Sequence, residues 1–408
     1  MSRLDKLPTD WELVNLGKLG SFINGDRGKN YPSSEDFCNS GIPFINAGHI
    51  QDGNIDLDSM NYISEERFNL LGSGKIKPND ILYCLRGSLG KTAIVKGINQ
   101  GAIASSLVII RPFDCILTDY LYYFLTSSLG QSEILKYDNG SSQPNLSAKS
   151  VKEYKVPVPP LEEQRRIVAI LDKADAVRRK RKEAIALTEE LLRSAFLDIF
   201  GDPVTNPKGW DVLPMHEVIQ TIEAGWSANG EDRRCESDEW GVLKISAVTS
   251  GRFQVNEHKV VEDILPNKSL IIPSKGDLLF SRANTRELVA ATCLVDKNCE
   301  RLFLPDKLWL IKPKPKFANT EYLKFLLSNP KYRSLIARKA TGTSGSMLNV
   351  SQAKLLEMYA PIPDLQKQKC FAEVVWQIFG MREQHELTTI EANSMFNSLL
   401  QKAFRGEL

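Results

Sequence analysis

The sequence lacks several features that would assign it to a class at once. Its seven cysteines are odd in number, scattered and never spaced as C-x-x-C, which indicates reduced thiols rather than a disulfide framework. No apolar run approaches the roughly 18 residues of a membrane span, and the first residues, MSRLDKLPTDW, lack the layout of a signal peptide. The formal net charge of +2 is too small to indicate a polyanionic partner. We therefore expect a cytoplasmic protein without membrane contact.

Catalytic and metal-binding patterns are also missing. Residues 87–92, GSLGKT, end like a phosphate-binding loop, but Leu85 stands where the first glycine of such a loop belongs. The four histidines have no metal-ligand spacing with each other or with the cysteines. We therefore expect a non-catalytic chain that binds no cofactor and no metal itself.

What the chain does contain is a long internal repeat. The phrase VPVPPLEEQ at residues 156–164 returns as APIPDLQKQ at residues 360–368, and GIPFINA, LVIIRP and LLRSAF have the counterparts GVLKISA, LWLIKP and LLQKAF in the same order. The matches lie about 200 residues apart, far beyond the roughly 20 to 50 residues of solenoid and propeller repeats. The chain is therefore interpreted as a duplicated domain.

Two divergent segments precede the two copies of the proline phrase. Each has short β-rich runs, such as DILYCL and DLLF, and then a helical stretch, DYLYYFLTSS or TEYLKFLLSN. The prolines enforce an extended approach, so that a long helix begins near Leu161 and ends before Gly201. These patterns predict α/β (α+β) modules, two in tandem: a first module at residues 1–155, a central helix at 156–202, a second module at 203–359 and a C-terminal helix at 360–408.

Apolar residues recur on both predicted helices at alternating steps of three and four, as in coiled coils. The stripes are Ile167, Ile170, Ala174, Val177, Arg181, Ala184, Thr188, Leu191 and Ala195 in the first helix, and Phe371, Val374, Ile378, Met381, His385, Thr388, Ala392, Met395 and Leu399 in the second. We expect the stripes to cover each other in an antiparallel pair with pseudo-two-fold symmetry. Arg181, opposite His385 and Glu386, then sets the register by meeting Glu386.

The run RRKRK at residues 178–182 lies within the first predicted helix. Its charges spread around nearly a full turn of helix. A solvated surface, a contact with a partner subunit and a contact with DNA phosphates all fit this pattern, and the sequence leaves the three interpretations open.

Loops of both modules combine arginine or lysine with small amides and hydroxyls. They lie at residues 24–30, 86–88, 140–145, 281–286 and 341–346. Arginine on guanine, and Asn or Gln on adenine, read base edges, whereas Ser, Thr and backbone amides suit phosphates. Polar loops are also the ordinary surface of a globular domain, so that each loop alone is weak evidence.

The order of modules and helices, the phrase PVPPLEEQRRIVAILD and the ending LLQKAFRGEL together resemble the specificity (S) subunits of type I restriction-modification systems. The second phrase departs from the first, with Asp364 for the second proline and Lys367 for Glu163. The resemblance implies that each module reads one half of a bipartite, asymmetric target in double-stranded DNA, and that the helices fix the spacing. It also implies two modification (methyltransferase) subunits and restriction (ATP-dependent nuclease) subunits as partners, which would bind S-adenosylmethionine, ATP and magnesium.

From their positions in the modules, one set of side chains is expected to contact DNA. It comprises Arg27, Lys29, Asn46, His49, Arg86, Ser88, Gln143, Asn145, Ser246, Thr249, Arg252, Arg282, Asn284, Arg286 and Ser346. Two other functions fit the same frame: a DNA-recognition adaptor in a methyltransferase-only phage-defence system, and a scaffold whose modules bind protein.

Overall fold

The computed structural model describes residues 7–137, 145–236, 238–262, 264, 269–342 and 347–408. The chain divides into two compact units, the first formed by Met1–Lys182 with Leu387–Leu408 and the second by Glu183–Glu386. Both boundaries fall inside long helices. Each unit therefore contains one module and a piece of each long helix, and the C-terminal residues belong with the first module.

The first unit contains β1 to β12 and α1 to α5. Its strands are β1 (Glu12–Asn15), β2 (Gly20–Asn24), β3 (Phe37–Cys38), β4 (Ile42–Ile45), β5 (Ile50–Gln51), β6 (Asn54–Ile55), β7 (Asn61–Ile63), β8 (Ile81–Cys84), β9 (Thr92–Ile94), β10 (Ala102–Ile103), β11 (Leu107–Pro112) and β12 (Lys155–Val158). Its helices are α1 (Glu65–Leu70), α2 (Thr118–Thr126), α3 (Ser128–Leu135), α4 (Ala148–Lys152) and the long α5 (Leu161–Phe200), which continues into the second unit.

Two four-stranded sheets build the first module. One is antiparallel, in the order β2-β11-β8-β9, and the other is mixed, in the order β10-β4-β7-β3, with β10 parallel to β4. Side chains of β8 alternate between two cores: Ile81 and Tyr83 pack with the core that contains helix α2, whereas Leu82 and Cys84 pack with Ile45 of the mixed sheet. The continuous apolar run of β8 reflects burial on both faces.

The second unit has a similar order of elements. Its strands are β13 (Asp211–Pro214), β14 (Ile219–Ala224), β15 (Trp240–Leu243), β16 (His258–Val261), β17 (Leu278–Ser281), β18 (Ala283–Asn284), β19 (Thr292–Leu294), β20 (Leu302–Phe303), β21 (Leu308–Pro313), β22 (Leu348–Asn349) and β23 (Tyr359–Ile362). Its helices are α6 (Met215–Val218), α7 (Ser246–Thr249), α8 (Thr320–Ser328), α9 (Pro330–Lys339), α10 (Gln352–Leu356) and part of the long α11 (Leu365–Ala403). The sheets β14-β21-β17-β19 and β16-β15-β20 correspond to those of the first module.

The proline phrase forms a strand in both copies. Strand β12 pairs antiparallel with β1, Val156 facing Val14, and β23 pairs in the same way with β13, Ala360 facing Leu213. Each module therefore closes by pairing its first strand with its last, three residues beyond the predicted boundaries at 155 and 359. The helix α5 begins at Leu161, where the prolines predict it.

The two long helices contact each other in opposite directions within the first unit. Arg166 Nη2 donates to the carbonyl oxygen of Leu408 at 2.9 Å, and the guanidinium of Arg178 lies 4.7 Å from the ring centre of Phe396. The two helices are therefore antiparallel within this unit.

The second unit shows the same direction. The rings of Phe196 and Phe371 lie 5.7 Å apart, and Glu189 Oε1 accepts from Arg382 Nη1 at 2.6 Å. Phe196 and Phe371 belong to the core of the second module, so that the module covers the helices there.

The buried stripe on the helices differs from the predicted one. Val177 and Leu191 on α5, and Met381 and Met395 on α11, are 48%, 57%, 55% and 64% exposed. The predicted positions Ile167, Phe371 and Ile378 are buried, and the other buried apolar positions are Leu171, Leu192, Phe196 and Phe200 on α5, and Val375, Phe396, Leu400 and Ala403 on α11. The predicted continuous seam is wrong at the four exposed positions, because the module cores, and not only the partner helix, decide which face is covered. Among the described residues, no helix has the length and hydropathy to cross a membrane.

Candidate nucleic-acid interface

Several loops of the first module leave its antiparallel sheet at one end. Leu107 starts β11 and pairs with Cys84 at the end of β8, while Val108 pairs with Asn24 at the end of β2. The segments after β2 and β8 therefore emerge side by side. The opposite end of β11, at Pro112, leads into α2 and towards the long helix.

The loop after β2 is held by Asp26. Its carboxylate accepts the backbone N–H groups of Gly28 at 2.8 Å and of Gly72 at 2.7 Å. These bonds, that from Gly28 first and that from Gly72 second, hold the pKa of Asp26 below its usual value. Arg27 and Lys29 beside it are exposed. A fixed backbone thus presents two cations to solvent.

The loop after β8 carries Arg86 and Ser88, both exposed. Arg86 forms an antiparallel bridge with Asn145. The predicted Gln143 lies outside the described residues. We call Arg27, Lys29, Arg86, Ser88 and Asn145 the first edge, because one end of one sheet brings their loops together.

The second module has a corresponding end. Ser281 ends β17 and pairs with Leu308, and Ala224 ends β14 and pairs with Trp309. Asn284 follows in β18, which pairs with β22. Ser346, which precedes β22, lies outside the described residues.

Arg286 belongs to a basic cavity of about 410 Å³ between the loop after β17 and helix α9. The cavity is lined by Arg286, Glu287, Pro330, Arg333, Ser334, Ala337 and Arg338. Arg333 donates to the carbonyl oxygens of Val289 at 2.9 Å and Glu287 at 2.6 Å, which fixes the loop, and burial lowers its pKa. Arg286 and Arg338 are exposed at the cavity.

We call Asn284, Arg286 and Arg338 the second edge. Arg338 is absent from the sequence prediction, although the basic spacing of Lys331, Arg338 and Lys339 in one helix was visible in the sequence. The corresponding cavity of the first module, about 580 Å³, is lined by Gly87, Leu89, Ser128, Gln131, Ser132, Ile134 and Leu135, and these include no basic side chain.

Arg282 does not occupy the position of Arg86. Cys84 and Ser281 are equivalent, because each pairs with the first residue of the neighbouring strand, β11 or β21. Arg282 comes one residue after Ser281, whereas Arg86 comes two residues after Cys84. Because neighbouring side chains of a strand point to opposite faces, Arg282 turns inward. It donates to the carbonyl oxygen of Asp306 at 2.7 Å and to the carboxylate of Asp306 at 2.9 Å. Arg282 therefore holds a loop of its own module.

Asn46 and His49 build a short helical turn. Asn46 Oδ1 accepts from the backbone N–H of Gly48 at 2.8 Å, and the backbone N–H of Asn46 donates to His49 Nδ1 at 3.1 Å. His49 is buried, and this burial lowers its pKa, which favours the neutral ring that accepts the bond.

The counterpart loop in the second module contacts the helices. Ser246 and Thr249 bound the short helix α7. Arg252 forms ion pairs with Glu189 of α5 at 3.1 Å and with Glu386 of α11 at 3.3 Å. The structure thus engages Arg252 in holding its loop against the helices.

The residues predicted to set the helix register have other partners. Arg181 Nη1 donates to the carbonyl oxygen of Thr388 at 2.6 Å, and Glu386 accepts from Arg252. His385 is half-buried. Arg181 thus bonds to Thr388 and Glu386 to Arg252, and the pairing of Arg181 with Glu386 stays a prediction.

Comparison with known proteins gives one consistent family. A family model described as the type I restriction modification DNA specificity domain matches residues 8–187 and 207–392. The chain is 26% identical over 424 residues to the specificity subunit of the type I restriction enzyme EcoKI from Escherichia coli (strain K12), covering 99% of this chain and 90% of the relative.

Two solved structures share the fold. The S subunit of a type I restriction-modification system from M. genitalium is 15% identical, with a TM-score of 0.53 and coverage of 99% of this chain and 98% of that one. A chain from a structure of the type I R-M system is 20% identical, with a TM-score of 0.54 and coverage of 99% and 100%.

Proposed function

The chain belongs to the family of type I restriction-modification DNA specificity proteins, and on this premise we propose that each of its two units reads one half of a bipartite, asymmetric DNA target. Sequence-specific DNA recognition within a type I restriction-modification system is the function of the chain. The observation that carries the proposal is the position of the two edges. The same end of the same sheet, away from the joint to the helix, presents exposed polar side chains in both units.

The chemistry of the two edges supports two different half-sites. The first edge offers Arg86 with Asn145, a combination that suits guanine and adenine in the major groove. The second offers Arg286 and Arg338 around a basic cavity, which suits the phosphate backbone beside the bases that Asn284 would reach. Because the same end carries different side chains, the halves of the target differ.

The long helices would hold the half-sites at a fixed spacing. We propose that they form an antiparallel coiled coil with pseudo-two-fold symmetry, supported by the opposed helix directions inside each unit. The register residues Arg181, His385 and Glu386 lie in the stretch where the helices pass from one unit to the other. Duplication within one chain would supply the two-fold geometry that DNA-binding dimers usually supply.

Two modification (methyltransferase) subunits are the proposed partners of the helices. Exposed apolar side chains recur at matching positions: Val177 and Met381 each lie 13 residues after the glutamine of the proline phrase, and Leu191 and Met395 each lie 27 residues after it. Repeated apolar positions suit two copies of one partner. Restriction subunits, the ATP-dependent nuclease, would complete the assembly. In this proposal S-adenosylmethionine, ATP and magnesium bind to the partners, and this chain performs no catalytic step.

Methylation mapping tests the proposal. A host that expresses this chain with its cognate methyltransferase should acquire one bipartite motif with unlike halves and a fixed spacer. Arg86→Ala should relax one half-site and Asn284→Ala the other, with the spacer unchanged. A map without a bipartite motif, or relaxation of the same half by both variants, would contradict the assignment of one half-site to each unit.

Two alternatives lead to other outcomes. A methyltransferase-only defence system would give the same map, but purification through this chain would recover no ATP-dependent nuclease. A protein-binding scaffold would give no salt-dependent affinity for duplex DNA in the presence of the methyltransferase.

A further inference from the structure

An ion pair joins a loop of the first module to the long helix α5. Lys182 Nζ of α5 lies 2.5 Å from Asp52 Oδ2. Asp52 (φ 49°) and Gly53 (φ 79°) form the left-handed turn that directs the loop towards the helix. We call Asp52 and Lys182 the first latch. Both side chains are largely exposed, so that the pair alone contributes little stability.

A loop of the second module is held in a corresponding way. Arg252 follows Gly251, which also has a left-handed backbone (φ 80°), and lies 3.3 Å from Glu386 Oε1 of α11. Arg252 also pairs with Glu189, and Arg382 lies within 4.0 Å of Glu386. We call Arg252 and Glu386 the second latch.

The two latches use the same helix position with opposite charge. Lys182 lies 18 residues after Gln164, and Glu386 lies 18 residues after Gln368. These two glutamines form the same set of bonds in their units, which fixes the correspondence of the helices. In the first latch the loop supplies the carboxylate of Asp52 and the helix supplies the amine of Lys182. In the second latch the loop supplies the guanidinium of Arg252 and the helix supplies the carboxylate of Glu386.

The surrounding helix surface changes from wholly basic to mixed, with arginine kept at the first position. Residues 178–182 read RRKRK, whereas the corresponding residues 382–386 read REQHE. The bond to Lys182 is the main cause of the lowered pKa of Asp52, and Arg178 and Arg179 add to it. The basic run therefore provides a positive field for Asp52, and its counterpart provides the carboxylate of Glu386 for Arg252.

We propose that the two latches are a charge code that matches the loop of each recognition module to its own site on the long helices: Asp52 to Lys182 of α5, and Arg252 to Glu386 of α11 beside Glu189 of α5. A first-module loop placed on the second helix would set Asp52 against Glu386, and a second-module loop on the first helix would set Arg252 against Lys182. Both exchanges place like charges together, so that the code acts by rejecting the wrong pairing as well as by holding the right one. The code is independent of how the edges read DNA.

Hydrogen exchange of the full-length chain tests the code without DNA. Lys182→Glu should speed amide exchange in residues 46–56 about two- to fivefold, as expected for loss and reversal of an exposed pair, and leave residues 246–256 unchanged. In an Asp52→Lys background, the same Lys182→Glu change should instead slow exchange of residues 46–56. Lysine at position 52 is strained at φ 49°, but this strain is present both before and after the Lys182→Glu change in that background. The double-mutant cycle therefore cancels it.

Two further variants sharpen the test. Lys180→Glu makes the same change of charge two residues away, at an exposed position for which the described structure records no ion pair, and should leave both loops unchanged. Glu386→Lys should speed exchange of residues 246–256 only. The code is refuted if Lys182→Glu acts in the same direction in both Asp52 backgrounds, or if Lys180→Glu matches its effect.

Discussion

The joint between each module and its helix depends on one buried glutamine, and this gives a prediction for Gln164. Its side chain is fully buried. Oε1 accepts from the backbone N–H of Leu117 at 2.9 Å, and Nε2 donates to the carbonyl oxygens of Pro159 at 2.9 Å and Cys115 at 3.2 Å. Gln368 forms the matching bonds in the second unit. One amide thus ties the start of α2 to the start of the long helix.

Replacement by alanine leaves three backbone groups without their partner. An unsatisfied buried donor or acceptor costs about 1 to 3 kcal/mol. The carbonyl groups of Pro159 and Cys115 can recover part of this cost through water or other bonds. Gln164→Ala should therefore destabilise the first unit by about 3 to 5 kcal/mol. Gln164→Glu keeps the shape and the acceptor for Leu117. It places a carboxylate against two carbonyl oxygens, so its cost should be at least as large at neutral pH.

Urea unfolding of the full chain, followed by circular dichroism and by hydrogen exchange near Leu117, measures these changes. Gln366→Ala is the matched control, because that glutamine is exposed two residues from Gln368, and it should change stability by less than about 0.5 kcal/mol. Gln368→Ala should affect the second unit as Gln164→Ala affects the first. If a folded Gln164→Ala protein unfolds at the same urea concentration as the Gln366→Ala control, the joint does not depend on this amide.

Three further outcomes follow from particular contacts. Arg86→Ala should weaken DNA binding by the assembled complex by about 1 to 3 kcal/mol with unchanged unfolding, whereas Arg282→Ala should lower the stability of the second unit by about 1 to 2 kcal/mol, measured by titration with duplex DNA and by urea unfolding. Tyr120→Phe and Tyr322→Phe should each cost about 1 kcal/mol in urea unfolding, because each hydroxyl donates to a buried carbonyl oxygen of the proline phrase. Burial lowers the pKa of Lys324 from 10.5 to about 8, so that folding disfavours its protonated form. Stability should therefore rise between about pH 8 and 10.5, and Lys324→Met should stabilise the chain by roughly 2 to 4 kcal/mol at pH 7, a gain that shrinks when unfolding is repeated at pH 10.

The sequence predicts the joint well because its signals are local. Prolines restrict the backbone at and before their own positions, so that the strand and the helix start at Leu161 follow from a few adjacent residues. The division into units is not local. Residues 387–408 join the first module because Phe396 and Phe404 enter its core. The antiparallel pairing predicted from the two stripes brings these residues to the start of α5, but no local signal indicates that their side chains enter the module.

Site prediction is limited by a different physical fact, the alternation of side chains along strands and helices. Arg86 and Arg282 look equivalent in the sequence, yet one residue of offset exposes the first and turns the second towards Asp306. The helix stripe fails similarly, since Val177 and Leu191 are neighbours of the buried face rather than part of it. Whether such a side chain is exposed or buried depends on the residues packed around it, and the tertiary fold determines which residues those are.

The similarity between the two halves of the chain varies from region to region: it is high at the joint, lower at the latches and lowest at the edges. The joint is repeated almost unchanged, since Gln164 and Gln368 form the same bonds. The latches keep their place and reverse their charge. At the edges, the position in the sheet is kept but the side chains are unrelated. A recognition module moved into another chain of this kind should therefore keep its fold through the joint and carry its half-site with its edge, yet it should dock well only if the helix position opposite its latch residue has the complementary charge.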